Sequence, residues 1–132
     1  MDFIKDQLPS IFILAFLSIA FLQSGIDKIV DWKGNLSWLN GHFEKTFLAK
    51  NVALALGSIT ILEIAAGALS AFGIFEILFM ETTIIAWLGA ALSALSLLML
   101  FFGQRIAKDY PGAMTLAIYF IIAVAGMIIL GN

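Results

Sequence analysis

A long apolar segment runs from Asn51 to Phe75 and reads NVALALGSITILEIAAGALSAFGIF. Its apolar residues are continuous rather than alternating, and a single charged residue, Glu63, interrupts them. A helix needs about 20 mostly apolar residues to cross the hydrocarbon core of a bilayer, and a chain in lipid must satisfy its backbone hydrogen bonds within the segment. The stretch therefore predicts a membrane-spanning α-helix.

Three further stretches have the same apolar character. They cover residues 8–26, 82–103 and 112–130. The links after the second and third spans are short, so the helices that they join should be antiparallel neighbours, whereas the loop after the first span is long. We predict an all-α fold, an integral membrane four-helix bundle formed by one domain over residues 1–132.

The composition agrees with a membrane protein and excludes several classes of function. The chain is 62% hydrophobic and 12% charged, whereas an average soluble domain has about 25% charged residues. It contains no cysteine, which rules out disulfides, thiolate metal sites and dithiol chemistry. The net charge of −2 argues against binding of nucleic acid, which normally requires a basic surface.

Lysine and arginine are distributed unequally between the two ends of the predicted spans. Lys5 lies on one side, and the first and third loops contain the others: Lys28, Lys33, Lys45, Lys50, Arg105 and Lys108. Cytoplasmic loops carry an excess of these residues. We therefore expect loops one and three to be cytoplasmic and both termini to lie outside. We also expect the membrane to be the bacterial inner membrane. Lys28 should be left out of the count if it lies inside the bundle.

The long first loop contains a helical pattern of its own. Apolar residues recur there at spacings of three and four, namely Leu36, Leu39, Phe43 and Phe47. Asn40, Glu44 and Lys45 fall largely on the other face, and two tryptophans lie nearby. The pattern indicates a short amphipathic helix at the membrane interface. The alternative is a loop whose aromatic side chains fold back onto the bundle.

Glu63 is the most informative single residue because its position in the second span places it near the middle of the membrane. An ionised side chain there costs about 3 kcal/mol on insertion scales. A protein tolerates it when the carboxyl is protonated or paired with a cation or donor inside the bundle. Two interpretations follow: a group that handles protons or a polar ligand, and a carboxyl that only holds two helices together.

A second polar feature closes the first span. If that helix continues past Ile26, four polar residues at positions i, i+3, i+4 and i+7 form one stripe along it: Ser24, Asp27, Lys28 and Asp31. Gln23 extends this stripe. A polar stripe on an apolar helix should face the bundle interior. The alternative is a helix end among the lipid headgroups, with Lys28 reaching toward water and the aspartates solvated.

Two motifs in these spans resemble signatures of the DoxX family of small four-span membrane proteins. The first has the form F-x-x-S-G-x-x-K, with Phe21, Ser24, Gly25 and Lys28. The second has the form E-x-x-x-G-x-x-x-x-x-G, with Glu63, Gly67 and Gly73. The resemblance extends to the four-span plan and the long first loop.

The resemblance implies an accessory subunit of a membrane redox system that binds quinone or a partner oxidoreductase and has no catalytic activity by itself. The family takes its name from a subunit associated with thiosulfate oxidation coupled to quinone reduction. The resemblance favours an inward-facing polar group, with Lys28 and Glu63 as its main members. We therefore predict a ligand-binding or buried polar site formed by Ser24, Asp27, Lys28 and Glu63, with a contact between Lys28 and Glu63 as its sharpest test.

Two other functions remain open on the sequence. In a small proton-coupled transporter, Glu63 would titrate during the cycle with Lys28 as its partner, and a homodimer would be needed. In a scaffolding protein without a ligand, the same pair would serve assembly only. His42 is the only histidine and cannot form a metal site alone, and Tyr119 is expected in the core or facing lipid.

Overall fold

The computed structural model describes residues 2–131, and 86% of them are helical, with no β-strand in that range. Six helices follow one another: α1 Asp2–Asp6, α2 Leu8–Val30, α3 Trp32–His42, α4 Val52–Met80, α5 Ile84–Ile106 and α6 Tyr110–Leu130. Four of them, α2, α4, α5 and α6, are long and apolar enough to cross a membrane. The predicted all-α fold with four long apolar helices is confirmed.

Helix α4 lies at the centre of the packing. It contacts α2 along one side and α5 along the other, while α5 also packs against α6. Smaller contacts of α2 with α5 and α6 complete the bundle. The core contains buried aliphatic and small residues from all four long helices: Leu14, Leu17, Ala66, Ala90, Leu97 and Ala123. This arrangement gives α4 two interior faces, one toward each neighbour.

Glycines allow both faces of α4 to approach a neighbouring backbone. A Cβ atom at Gly67 would lie 2.9 Å from the backbone nitrogen of Leu22 in α2. A Cβ atom at Gly73 would lie 2.5 Å from the Cα of Ala86 in α5. Both distances are shorter than ordinary carbon contacts, so each position requires glycine. Small residues at such crossings are how helices associate closely in lipid.

The boundary between the second and third spans differs from the prediction. We placed the end of the second span at Phe75, but α4 continues to Met80 and ends where Glu81 adopts a left-handed conformation, with φ of 54°. Glu76 therefore lies inside the helix and is only 2% exposed rather than lying in a loop. The extension is possible because the residues that follow Glu76 are again apolar and the carboxylate finds buried partners.

The first loop contains the helix that its pattern predicted, in a shifted position. Helix α3 begins directly after Asp31, whose carboxylate accepts a hydrogen bond from Gly34 N at 3.3 Å. Leu36 and Leu39 lie half-buried on it. The helix ends at His42, so Phe47, which we expected on the same helix, lies in the turns beyond it and is 72% exposed. Location at a membrane interface stays a prediction.

Candidate functional site

The structure brings together the two charged residues that the sequence marked inside the spans. Lys28 Nζ lies 2.8 Å from Glu63 Oε1, which joins the end of α2 to the middle of α4. The Glu63 side chain is 2% exposed and the Lys28 side chain 18% exposed. Lys28 is therefore an interior residue rather than a lysine that reaches into water.

Ser24 completes this group from within α2. Lys28 Nζ donates a hydrogen bond to Ser24 Oγ at 2.6 Å and lies 3.5 Å from the carbonyl oxygen of the same residue. The two residues are four apart, so one helical turn brings them onto the same face. The ammonium group has three donors, and three oxygen atoms surround it. These contacts orient the lysine side chain toward α4.

Two of the motif glycines lie beside the ion pair and explain how it forms. A Cβ atom at Gly25 would come within 2.5 Å of Ile64 Cδ1, and one at Gly67 would meet Leu22. Each glycine lies within about one helical turn of a member of the pair. The close approach of α2 and α4 is what allows the lysine and the carboxylate to meet. Gly73 serves the contact of α4 with α5 instead and does not border the site.

Asp27, which we predicted as part of the polar group, does not belong to it. Asp27 is exposed, and within residues 2–131 its carboxylate takes part in no hydrogen bond or ion pair. Successive helical residues are rotated by about 100°, so Asp27 lies about 100° around the helix from Lys28. Gln23 and Asp31 are exposed as well. Only Ser24 and Lys28 of the predicted stripe face inward.

A small cleft opens beside the carboxylate. Its volume is about 90 Å³. Its lining includes three polar residues, Ser24, Glu63 and Tyr119. The other lining residues are apolar side chains of α2, α5 and α6: Phe16, Leu17, Ala20, Phe21, Leu97, Leu100 and Leu116. Tyr119, which we expected only in the core or facing lipid, therefore borders the site. Its ring packs edge-on against Phe16, with centroids 5.4 Å apart.

The Glu63 carboxylate has capacity for a further partner. Apart from the ion pair, it accepts no hydrogen bond from the rest of residues 2–131. A carboxylate can accept several hydrogen bonds, and in an apolar interior each unfilled acceptor position is unfavourable. The site therefore presents an incompletely used acceptor at the edge of an apolar cleft, with the Lys28 ammonium group paired to it. Such an arrangement can hold the polar end of an apolar molecule or exchange a proton with it.

A second carboxylate, Glu76, is buried inside α4, where we predicted the short loop after the second span. It accepts hydrogen bonds from Thr82 Oγ1 at 2.8 Å, from Ile85 N at 3.2 Å and from Ala86 N at 3.0 Å. The last two are free amides at the beginning of α5, which a helix cannot satisfy internally. Glu76 thus caps α5 from the preceding helix. The apolar residues that follow it were the available signal that the helix continues.

The chain matches no protein-family model, no curated protein and no solved structure. The resemblance to the DoxX family therefore stays a prediction that depends on the two motifs and the four-span plan.

Proposed function

We propose that the chain is an integral membrane accessory subunit of a redox system, and that it holds a quinone headgroup at Lys28 and Glu63. The observation that carries this proposal is the buried ion pair, 2.8 Å long, whose Glu63 member lines an apolar cleft. Ligand sites for such molecules are mainly apolar with a few placed polar groups. The resemblance to the DoxX family points to the same function.

The chemistry of the site suits the two states of a quinone. The Lys28 ammonium can donate to the carbonyl oxygen of the oxidised form by giving up its longest contact, the 3.5 Å approach to the Ser24 carbonyl, and the Glu63 carboxylate is an acceptor for the hydroxyl of the reduced form. Phe21 and Leu97, which line the cleft, offer apolar contact to the ring. The pair thus recognises either state through a different member.

The size of the cleft determines how much of the ligand it takes. Its volume of about 90 Å³ is well below the roughly 300 Å³ at which pockets for drug-sized ligands begin. The cleft therefore receives the carbonyl edge of the ring, while the remainder of the ring and the apolar tail lie between the helices and the lipid. This placement fits a ligand that arrives from the bilayer.

The electrons in this proposal come from a separate oxidoreductase, because the chain has no cysteine and so no dithiol of its own. The cytoplasmic loops are the side on which such a partner would dock. With Lys28 buried in the ion pair, the count of lysine and arginine is five in the first and third loops against one, Lys5, on the other side. This distribution still favours cytoplasmic loops one and three.

Quinone binding tests the proposal directly. The purified protein would be reconstituted in lipid nanodiscs and titrated with a short-chain ubiquinone and a short-chain menaquinone, with tryptophan fluorescence as the readout. We expect saturable binding by the native protein and binding at least about tenfold weaker in Glu63→Gln and in Lys28→Met, since each loses one charge-assisted contact. Glu81→Gln, an exposed glutamate at the end of α4, is the matched control.

Two results would contradict the proposal. One is the absence of saturable binding of either quinone to the native protein, together with no quinone in organic extracts of the purified protein. The other is equal affinity in the native protein and in both site variants.

The second candidate is a purely structural role for the ion pair. It is favoured by the position of the pair at the tight crossing of α2 and α4, where Gly25 and Gly67 pack against side chains and backbone. In that case the double variant Lys28→Met with Glu63→Leu should keep both the assembled complex and its activity. Normal assembly with lost activity would exclude this role and support a ligand site.

A further inference from the structure

A larger cavity lies at the loop end of the bundle, away from the ion pair. Its volume is about 380 Å³. It is bordered by the end of α3 with the turns that follow it, and by the end of α5 with the turn beyond it: Gly41, His42, Glu44, Lys45, Thr46, Ile106, Ala107 and Lys108. Its volume falls within the range of roughly 300–1,000 Å³ typical of ligand pockets. Neither motif of the sequence and neither proposed role of Lys28 and Glu63 involves these residues.

The walls of this cavity are joined by a polar contact between distant parts of the chain. His42 Nε2 lies 2.9 Å from Gln104 Oε1 and 3.9 Å from Asp109 Oδ2. The imidazole also stacks on Trp38, with ring centroids 4.5 Å apart. The cavity is therefore formed before any ligand arrives.

The charged groups around the cavity leave two cations unpaired. Within residues 2–131, neither Lys45 nor Lys108 takes part in an ion pair. Glu44 is the one acidic residue among the lining residues. The nearby Asp109 is already engaged, since it accepts a hydrogen bond from Gly112 N at 3.1 Å and faces His42. The lining thus has a surplus of positive charge.

Lys108 is held beside the cavity by an unfavourable backbone conformation. Its φ is 62°, a left-handed value that glycine adopts far more easily than residues with a side chain. Lys108 N donates to the carbonyl oxygen of Arg105 at 3.2 Å, and Asp109 N donates to that of Gln104 at 2.9 Å. This is the turn that ends α5. A glycine would complete the same turn with less strain but would place no ammonium group at the cavity.

The location indicates the chemistry of the ligand. The cavity lies where α5 ends and just before α6 begins, which is the level of the lipid headgroups if these helices span the membrane. Basic pockets at the ends of membrane helices recognise anionic lipid headgroups. We propose that Lys45 and Lys108 bind a phosphate group in this cavity, either that of an anionic lipid or a free phosphate. The site is independent of the quinone proposal.

Thermal unfolding in nanodiscs tests the site, because a ligand that binds only the folded state raises the unfolding midpoint. One series of phosphatidylcholine discs would be titrated with inorganic phosphate, and a second would contain increasing amounts of phosphatidylglycerol. We expect one or both additions to raise the midpoint of the native protein. A rise with phosphate assigns a soluble ligand, and a rise only with phosphatidylglycerol assigns a lipid headgroup.

The variant Lys45→Gln with Lys108→Gly should weaken the binding by about 30-fold, the effect of two lysines near an anionic surface. The matched control is Lys33→Gln with Lys50→Gln, which also removes two charges, both from the first loop, but none from the cavity lining. The single variant Lys108→Gly, whose turn is less strained, keeps the test valid if the double variant does not fold. It should reduce the affinity without lowering the midpoint in the absence of ligand.

Three outcomes would overturn the proposal. The unfolding midpoint of the native protein could stay unchanged with either addition. The double variant Lys45→Gln with Lys108→Gly could show the same rise in midpoint as the native protein. The control could lose as much of this rise as the double variant. The last result would mean that the general charge of the loops, rather than a cavity, attracts the anion. None of these results depends on whether quinone binds.

Discussion

Helix α4 carries two buried glutamates that look alike by exposure and differ in their partners. Glu63 and Glu76 are each 2% exposed, yet they are about three and a half helical turns apart and face opposite neighbours. Glu63 meets a lysine side chain of α2, whereas Glu76 meets the backbone amides that begin α5. Burial of a carboxylate in an apolar helix is therefore not by itself a sign of function.

The two carboxylates differ in how many hydrogen-bond donors their oxygen atoms meet. Three donors surround Glu76, and its negative charge lies at the positive end of the dipole of α5, which stabilises it further. Nothing in that arrangement needs a ligand. Glu63 has one cation, no other hydrogen bond from residues 2–131, and a cleft beside it. Glu76 is a structural cap, and Glu63 is the candidate for binding.

The largest expected loss of stability comes from removing Glu76, which caps α5. Glu76→Ala leaves the buried amide of Ala86 and the part-buried amide of Ile85 without an acceptor and removes the charge at the positive end of the α5 dipole, so the free energy of unfolding should fall by about 4 kcal/mol. Unfolding of the micelle-bound protein by sodium dodecyl sulfate, followed by circular dichroism, measures it. Glu81→Ala, an exposed residue at the same helix end, should change it by less than about 0.5 kcal/mol. A loss below about 1 kcal/mol for Glu76→Ala would refute the capping role.

Removing one member of the ion pair should lower the free energy of unfolding by less than Glu76→Ala does, and removing both members should restore much of it. Lys28→Met leaves a buried carboxylate without its cation, and we expect a loss of about 3 kcal/mol. The double variant with Glu63→Leu removes both charges and should regain most of that stability, because an apolar pair avoids the desolvation of two ions. The same unfolding experiment on both single variants and the double variant gives the coupling energy. Additive losses would show that the two residues do not interact.

The sequence predicted the region around Glu63 better than the region around Glu76, for a physical reason. Glu63 interrupts a long apolar run far from either end, and Lys28 and Ser24 share one helical face, so both signals are local. Glu76 looked like the first residue of a loop because its partners, Thr82 and two amides of α5, become neighbours only after the chain has turned back.

The same limit applies to the loop cavity and to Asp27. His42 lies 62 residues before Gln104, and no local pattern connects them. For Asp27, the spacing along the helix placed it on the polar stripe, but the direction in which α4 packs against α2 decided which edge of that stripe is buried. Spacing predicts a shared face to within about one residue's rotation, whereas burial depends on the neighbour. The tertiary contacts supply that information.

The crossing of α2 and α4 can be tested without touching a charge. Gly67→Ala places a Cβ atom 2.9 Å from the backbone nitrogen of Leu22, which cannot move as a side chain would. The helices must separate, and we expect a loss of about 2 kcal/mol in the free energy of unfolding. Gly57→Ala is the control, since its nearest neighbour is Trp32 at 3.8 Å, and the higher helix propensity of alanine should make it neutral or stabilising. Equal effects of the two variants would mean that the crossing is not tight.

The smallest expected effect comes from Ser24, and it bears most directly on the comparison of the two carboxylates. Ser24→Ala removes the hydrogen bond of 2.6 Å to Lys28 Nζ and should lower the free energy of unfolding by about 1 kcal/mol. Ser18→Ala removes only a bond to the carbonyl oxygen of Leu14 on the same helix and should change it by less. The same unfolding experiment compares them, and an equal change in the two variants would deny Ser24 a role in orienting the lysine. Since the donors of Glu76 are mainly backbone amides, no side-chain substitution can adjust them in this graded way. The group around Glu63 consists of side chains, each of which can shift when a ligand enters, and this difference is what suits it to binding.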